Sequence, residues 1–264
     1  MKHILVPIGS TENSINTLQY AIDFAKEIDA KVFVMRAYQV LSKAGAFVNA
    51  DATMQRETNL YLNSMVRGCD TKGVEVKLIA SKGNVIDSIT AIEREIGIDL
   101  IVVGPKSNSI KEEVFLGKTS GKIVKQTEIP VLVIPEGYKY VPVRRILTAF
   151  KSGILKKKKV LKPLKTVLEA FNLKTTLLLV KTPGFTDEDL IIDSKLDALK
   201  SELIIAENAT TFQGVLANFQ TQNPDMLCVF RRKRGFFKKL WESNTILKEE
   251  FHCNVPLLVL SGKK

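Results

Sequence analysis

Cysteine, histidine and tryptophan are scarce in this chain of 264 residues, which contains three cysteines, two histidines and one tryptophan. Three scattered cysteines are too few for a disulfide framework, and no C-x-x-C pair predicts a zinc site. The opening MKHILVPIG is too short an apolar run for a signal peptide, and no stretch approaches the ~18 apolar residues of a membrane span. We therefore expect a cytoplasmic setting, without disulfides, a metal or a membrane span.

Acidic residues are also under-represented, but in one half of the chain. Residues 1–140 contain 17 basic and 16 acidic residues, whereas residues 141–264 contain 22 and 12. The net charge of +11 therefore comes almost entirely from the second half. Such asymmetry prompts the hypothesis of an acidic partner, such as nucleic acid or an anionic surface. With 45% hydrophobic residues, the chain is nevertheless typical of a globular protein.

Apolar strand-like runs alternate with amphipathic helical segments in the first half. KHILVPI at residues 2–8 predicts a buried strand, and Leu18, Ile22 and Ala25 follow at helical spacing. Further strands are predicted at residues 31–37, 74–80, 99–104 and 131–134, with helices at 12–28, 54–69, 84–96 and 119–126. This order predicts a parallel sheet that is covered by helices on both faces.

The second half repeats this plan. Four strand segments, at residues 146–149, 175–181, 225–229 and 255–260, align with those at 4–7, 31–37, 99–103 and 129–134. The offset falls from 142 to 126, so the second copy lacks about 16 residues between its second and fourth strands. We predict two tandem, doubly wound α/β domains, residues 1–138 and 141–264, each with a mainly parallel five-stranded sheet.

Three segments carry a resemblance to a known family: LVPIGSTENS before the first helix, the strand DLIVVG, and TSGKIVKQTEIPVLVIP at residues 119–135. On these segments the chain resembles the tandem form of the universal stress protein family. The resemblance implies an adenine nucleotide alpha hydrolase-like fold. It also implies that the last strands of the two domains, Val131–Ile134 and Leu257–Leu260, pair in an intramolecular pseudo-dimer, with a further homodimer as an option.

ATP-binding members of the family resemble the pattern G-x2-G-x9-G-[ST] after the fourth strand. In this chain Gly104 and Gly117 match, Ser107 stands at the second glycine, and Lys118 stands where the hydroxyl residue usually follows. Glycine lets the backbone approach a phosphate with positive φ, so serine there costs ~1–2 kcal/mol. The pattern therefore predicts a weakened phosphate cradle.

The helix that begins near Lys118 is expected to direct free N–H groups at the anion. Thr119 and Ser120 are predicted to donate to phosphate oxygens, and Lys106 or Lys118 to neutralise charge. The LGKTS run does not make a P-loop, because Glu112 stands where that motif needs glycine. An ordinary junction between a loop and a helix is the competing interpretation of this run.

The nucleoside end of the predicted site lies at the ends of the other strands. The resemblance places Pro7, Gly9, Ala37 and Val103 there. Binders usually carry aspartate where this chain has Gly9. Losing one charge-assisted hydrogen bond costs about 1.5–3 kcal/mol, or ten- to a hundredfold in affinity.

The second copy departs further from the pattern. Phe230 and Lys233 replace its first two glycines, and Lys151 occupies the position of the aspartate. ATP is therefore expected in the first domain alone. Basic runs at Lys156–Lys159 and Arg231–Arg234 could form an anion-binding patch or a solvated surface.

No catalytic triad, carboxylate pair or metal-ligand spacing is apparent, so we expect no enzyme activity. We predict a stress-response protein that binds adenine nucleotide weakly in its first domain and acts as a sensor or adaptor. Two alternatives stay open. One is a scaffold in which both sites are vestigial, and the other is a binder of nucleic acid or anionic surfaces through the basic half.

Overall fold

The computed structural model describes residues 1–9, 13–40, 50–104, 118–155, 158–231 and 255–261. The strands are β1 (His3–Pro7), β2 (Lys31–Tyr38), β3 (Val76–Lys82), β4 (Leu100–Val103), β5 (Val131–Val133), β6 (Ile146–Phe150), β7 (Thr175–Lys181), β8 (Lys200–Glu207), β9 (Met226–Phe230) and β10 (Leu257–Leu260). The helices are α1 (Asn13–Glu27), α2 (Ala50–Arg67), α3 (Val85–Ile96), α4 (Lys118–Gln126), α5 (Lys162–Ala170), α6 (Ser194–Asp197) and α7 (Thr211–Gln222). The predicted α/β fold with mainly parallel strands is confirmed.

The chain divides into two compact units. The first contains β1 to β4, α1 to α4 and residues 136–140, and the second contains β5 to β10 with α5 to α7. Residues 128–135, which carry β5, belong to the second unit. The predicted domain boundary at residues 138–141 stays a prediction.

The sheet of the first unit has the order β3-β2-β1-β4, with all neighbours parallel. Its central strands are apolar runs, and every residue of β4 is buried. Strands that are buried on both faces need such runs, because helices cover both sides of a parallel sheet. Helix α3 shows how local sequence sets an element: Asn84 caps its start by accepting from the N–H groups of Ile86 and Asp87.

The sheet of the second unit has the order β5-β10-β9-β6-β7-β8. Its neighbours are parallel except β5 and β10, which are antiparallel, with Leu132 opposite Leu258. These short apolar strands are buried throughout. Burying both strands in one ladder satisfies their backbone groups and covers the edge of each.

The predicted shortening of the second half falls on one connection. In the first unit, the 18-residue helix α2 connects β2 to β3. In the second unit, the connection from β7 to β8 contains a short 3-10 turn at Asp187–Leu190 and the four-residue helix α6. The third strand, β8, is retained, so the missing residues are those of a helix.

Candidate functional site at the carboxyl edge of the first unit

The carboxyl ends of β1, β2 and β4 lie side by side in the first unit. Parallel register aligns Pro7 with Met35 on β2 and Leu5 with Ile101 on β4. The strand ends therefore meet at one edge of the sheet, where ligands bind in doubly wound folds. Five of the predicted site residues lie along this edge: Pro7, Gly9, Ala37, Val103 and Gly104.

Helix α4 is joined to the same edge through its first turn. Ser120 Oγ donates a hydrogen bond of 2.7 Å to the carbonyl oxygen of Gly104, at the end of β4. Thr119 is exposed in the same turn. The N–H groups of a first helical turn have no acceptor within the helix, so they suit an anion. Helix α4 begins at Lys118, whereas the predicted residues Lys106, Ser107 and Gly117 lie outside the described residues.

Gly104 has a packing reason to be glycine. A Cβ atom there would lie 2.3 Å from Thr17 Oγ1 and 3.0 Å from Asn13 Nδ2, both on α1. Thr17 Oγ1 itself donates to the carbonyl oxygen of Asn13 at 3.1 Å. The close approach of α1 therefore requires the first glycine of the motif, whatever that glycine does for a phosphate. The role of Gly104 in binding stays a prediction.

Gly9 leaves the end of β1 open. Its carbonyl oxygen accepts from Tyr61 Oη at 2.8 Å and from Ser14 Oγ at 3.4 Å. A Cβ atom at Gly9 would meet no atom of the described residues within 4 Å. The exposed position can therefore accept a side chain, and in this chain it offers no acidic group to a ligand.

The sequence reasoning missed two residues near this edge, Tyr61, which bonds to Gly9, and Arg36, which packs on the Tyr61 ring. Arg36, near the end of β2, places its guanidinium 3.8 Å from the centre of the Tyr61 ring on α2. The Nη1 atom of Arg36 is buried and has no hydrogen-bond partner among the described residues. The signal that could have found Arg36 is a charged residue inside the otherwise apolar run VFVMRA at residues 32–37.

Residues 136–140 return to α1 next to this edge. Asn13 Oδ1 accepts from the N–H of Gly137 at 3.3 Å, and Asn16 Nδ2 donates to the carbonyl oxygen of Tyr138 at 3.2 Å. Asn13 is buried, and its Nδ2 has no hydrogen-bond partner in the part of the chain that the structure describes. The start of α1 therefore presents a second unused donor close to Gly104.

Aromatic rings fix the same segment against α1. Tyr20 packs edge-on against Tyr140, with ring centroids 5.3 Å apart, and lies 6.1 Å from the ring of Tyr138. Burial raises the pKa of the Tyr20 hydroxyl well above its ordinary value, and neighbouring Tyr138 adds to the shift. These three rings therefore act as a packing cluster that positions α1, and they supply no reactive group.

The family model described as "Universal stress protein family" matches residues 1–135, which carry all four strands of the first unit and β5. This chain belongs to the universal stress protein family. The resemblance seen in the sequence is thereby confirmed for the first half. That residues 141–264 form a second domain of the same family stays a prediction.

Individual relatives agree with this assignment. Universal stress protein MJ0531 of Methanocaldococcus jannaschii is 25% identical over 138 residues, covering 50% of this chain and 81% of the relative. Universal stress protein YxiE of Bacillus subtilis is 26% identical over 143 residues, covering 50% of this chain and 97% of the relative. A solved universal stress protein from Archaeoglobus fulgidus is 19% identical, covers 98% of each chain with a TM-score of 0.69, and shows the fold.

The second unit departs from the universal stress protein pattern at its carboxyl edge. Phe230, at the end of β9, packs edge-on against Phe150, at the end of β6, with ring centroids 6.3 Å apart. Where the family motif has glycine, this unit therefore has an aromatic pair. Lys233, the other replaced position, lies outside the described residues.

A segment of the second unit's own chain crosses the end of β6. We call residues 186–193 the strap. The N–H of Gly153 donates to the carbonyl oxygen of Asp189 at 3.3 Å, and the N–H of Asp193 donates to that of Gly153 at 3.1 Å. A Cβ atom at Gly153 would lie 2.6 Å from the Cα of Ile192. The strap therefore fills the space beside Gly153.

Asp189 fastens the strap through its carboxylate. The Ser152 hydroxyl donates to this carboxylate, and the N–H of Thr186 donates to its Oδ2 at 3.2 Å. These bonds, with nearby Lys151, hold the pKa of Asp189 below its usual value. The lysine at the position of the family's aspartate thus lies near an acidic group of the same unit.

Most residues of the predicted basic patch lie outside the described residues. Lys156 and Lys157 lie outside the described residues, as do positions 232–234. Arg231 is half-buried, its N–H donates to the carbonyl oxygen of Leu260 at 2.8 Å, and burial lowers the pKa of its guanidinium. Anion binding by these runs stays a prediction.

The described ranges show neither a membrane-spanning helix nor a metal-binding cluster. None of the helices there combines the length and the apolar character that crossing a membrane requires. Within the same ranges, no three His, Cys, Asp or Glu side chains are grouped so that they could hold a metal ion.

Proposed function

We propose that this universal stress protein binds an adenine nucleotide at the carboxyl edge of its first unit and acts as a stress sensor or adaptor without turnover. The observation that carries the proposal is the hydrogen bond of 2.7 Å between Ser120 Oγ and the Gly104 carbonyl oxygen. It joins the start of α4, a natural anion site, to the edge where β1, β2 and β4 end. The open space at Gly9 leaves room beside them.

Weak affinity is part of the proposal. Gly9 supplies no carboxylate, and the hydroxyl of Ser120 is already engaged with Gly104. The N–H groups of the α4 first turn and the exposed Thr119 hydroxyl then supply the phosphate contacts. A protein that holds nucleotide weakly responds to its concentration, which suits a sensor.

One site per chain is the second part of the proposal. In the second unit, the rings of Phe150 and Phe230 and the strap beside Gly153 occupy the corresponding strand ends. An aromatic pair offers no close approach to phosphate, and filling the edge with the chain itself removes the cleft. Nucleotide is therefore expected in the first unit alone.

Calorimetric titration of the full chain with ATP tests the proposal. Thr119→Ala should weaken ATP binding several-fold, because a hydroxyl donor to a charged oxygen is lost. Thr90→Ala, an exposed threonine of α3, is the matched control and should bind as the wild type does. Absence of binding at millimolar ATP would overturn the proposal and leave the scaffold alternative.

Assembly and location extend the proposal. We propose that the antiparallel pair of β5 and β10 makes the intramolecular pseudo-dimer that the family resemblance implies. A further homodimer and a cytoplasmic location are proposed with it. Sedimentation of the purified chain tests the homodimer, with a monomer mass as the contradicting result.

A further inference from the structure

Strand β8 forms one edge of the sheet in the second unit, and in the described part of the chain it pairs with β7 alone. The N–H of Asn208, next to the end of β8, donates to the carbonyl oxygen of Lys181 on β7 at 3.0 Å. Backbone groups of successive strand residues point to opposite sides, so those of Leu203 and Ile205 point away from β7. Among the described residues, these outward groups have no hydrogen-bond partner.

The corresponding edge of the first unit, β3, is protected in two ways. Helix α2 packs against β3, and the exposed side chains of β3 are those of Lys77 and Lys82. The described connection from β7 to β8 contains no helix of that length. At the centre of β8, residues 203–206 (LIIA) are uncharged, and Ile205 is 49% exposed. Lysines or a covering helix keep natural sheet edges from pairing, so β8 is the edge that can accept another strand.

The sequence of β8 is complementary to itself in the antiparallel direction. When two copies are aligned about a two-fold axis at Ile204, Leu203 of each copy lies opposite Ile205 of the other. These are the residues whose backbone groups point outward, so each such pair can exchange both of its N–H to C=O hydrogen bonds. The same alignment places Glu202 opposite Ala206, so apolar residues meet at the centre and no carboxylates face each other.

Other two-fold registers of β8 match less well. An axis at Glu202 sets this carboxylate against itself. An axis at Leu203 places Ser201 opposite Ile205, and an axis at Ile205 places Leu203 opposite Glu207. Apolar cross-strand pairs stabilise a ladder, whereas like charges directly opposite destabilise it. The register described above is therefore the favoured one.

We propose that two copies of this chain associate through β8, which continues their sheets in an antiparallel β8–β8 ladder. This inference rests on the homodimer of the proposed function and names the strand that forms it. The contact is isologous, because each residue meets the same partner on the other copy, and it closes at two chains. Main-chain hydrogen bonds supply affinity when a strand is added to a sheet edge. One strand edge is small for an interface, so the dimer should depend on protein concentration.

Ile205→Lys tests the surface by sedimentation equilibrium of the full chain from micromolar to millimolar concentration. The variant places in the apolar centre the residue that protects natural edges, so it should raise the dimer dissociation constant about tenfold or more. Ile191→Lys, at a 62% exposed isoleucine of the same unit, is the matched control and should dimerise within about twofold of the wild type. Thermal melting verifies that each variant is folded. An unchanged dissociation constant for Ile205→Lys would overturn the inference.

Cross-linking tests the register. At the axis, Ile204 meets its own copy in a pair without hydrogen bonds, whose Cα atoms lie about 4.5 Å apart and within disulfide reach. Leu203 lies opposite Ile205, so its two copies lie beyond that reach. Ile204→Cys should therefore give a disulfide-linked dimer under mild oxidation. Leu203→Cys, the matched control, should give no more than the wild type, which reports the background of the native cysteines. Equal cross-linking of the two variants, or none by Ile204→Cys, contradicts the β8–β8 ladder.

The outcomes separate this inference from the proposed function. A dimer that Ile205→Lys leaves intact overturns the inference and leaves the homodimer proposal standing. A wild-type chain that stays monomeric at millimolar concentration shows that both are wrong. ATP titration of Ile205→Lys should match that of the wild type, because β8 belongs to the second unit and the proposed nucleotide edge to the first. Nucleotide binding is thereby tested independently of the dimer.

Discussion

Gly9 and Gly153 follow the first strands of the two units, β1 and β6, and their surroundings differ completely. Among the described residues, a Cβ at Gly9 would meet no atom within 4 Å, whereas one at Gly153 would lie 2.6 Å from the Cα of Ile192. The first edge contains unused donors on Arg36 and Asn13. The second is filled by an aromatic pair and by the strap.

The difference follows from the connection after the second strand of each unit. Helix α2 in the first unit supplies Tyr61, whose ring packs against Arg36 and whose hydroxyl donates to the carbonyl oxygen of Gly9. Neither contact occupies the space where a Cβ of Gly9 would lie. The described connection from β7 to β8 in the second unit contains no helix of that length, and it runs across the end of β6. Losing about 16 residues therefore changes which atoms lie over the edge while the parallel strands persist.

Gly153→Ala is expected to have the largest effect of these variants, and Gly9→Ala is its counterpart in the first unit. The new Cβ at Gly153 meets backbone atoms of the strap, and such overpacking costs about 1–3 kcal/mol of unfolding free energy. Gly9→Ala should change it by less than about 0.5 kcal/mol, as at open surface positions. Urea unfolding of both variants provides the measurement. Equal effects would show that the strap does not pack on Gly153.

Phe230→Ala tests the aromatic filling of the second edge. Loss of the ring contact with Phe150 should cost about 1–2 kcal/mol, since Phe230 is half-buried and an aromatic pair adds about 0.5–1.5 kcal/mol to its area. Phe230→Leu should lose less, because it keeps most of the apolar contact. Calorimetry of Phe230→Ala should still show one ATP per chain, because the strap still fills the space beside Gly153. A second binding event would contradict that account.

Tyr61→Phe tests the hydrogen bond between Tyr61 and Gly9 separately from the contact between Tyr61 and Arg36. The variant keeps the ring under Arg36 but loses the hydrogen bond to the Gly9 carbonyl oxygen, at a cost of about 1 kcal/mol. Tyr61→Ala also removes the cation–π contact and should destabilise further. Thermal melting compares the two. If both variants lose equally, the ring contributes nothing to holding Arg36.

Asp189→Asn is expected to have the smallest effect, and its sign depends on pH. A carboxyl whose folded pKa is lowered contributes stability above its unfolded pKa of about 4, and this contribution is lost as pH falls through the folded pKa. The variant should therefore be less stable than the wild type at pH 7, and the difference should shrink toward pH 2. Melting temperatures across this range report it. Asp187→Asn, at an exposed position of the same turn, is the matched control.

Local sequence by itself determined the alternation of elements and most strand positions. Runs such as LIVV at residues 100–103 predict strands because a sheet covered on both faces needs continuous apolar residues. The repeat likewise predicted strands at 175–181 and 225–229 in the second half, where β7 (Thr175–Lys181) and β9 (Met226–Phe230) lie. The motif around Gly104 and the family resemblance were also readable without coordinates.

Tertiary structure alone decided which of those positions can form a site. That Gly104 accommodates Thr17, that Tyr61 pairs with both Arg36 and Gly9, and that Ile192 covers Gly153 are contacts between residues far apart in the chain. Periodicity records burial within one element, whereas these contacts depend on which elements pack over a strand end. Arg36 and Gly9 look ordinary in the sequence. The tertiary structure brings both to one edge of the sheet, and this placement makes them candidates for a binding site.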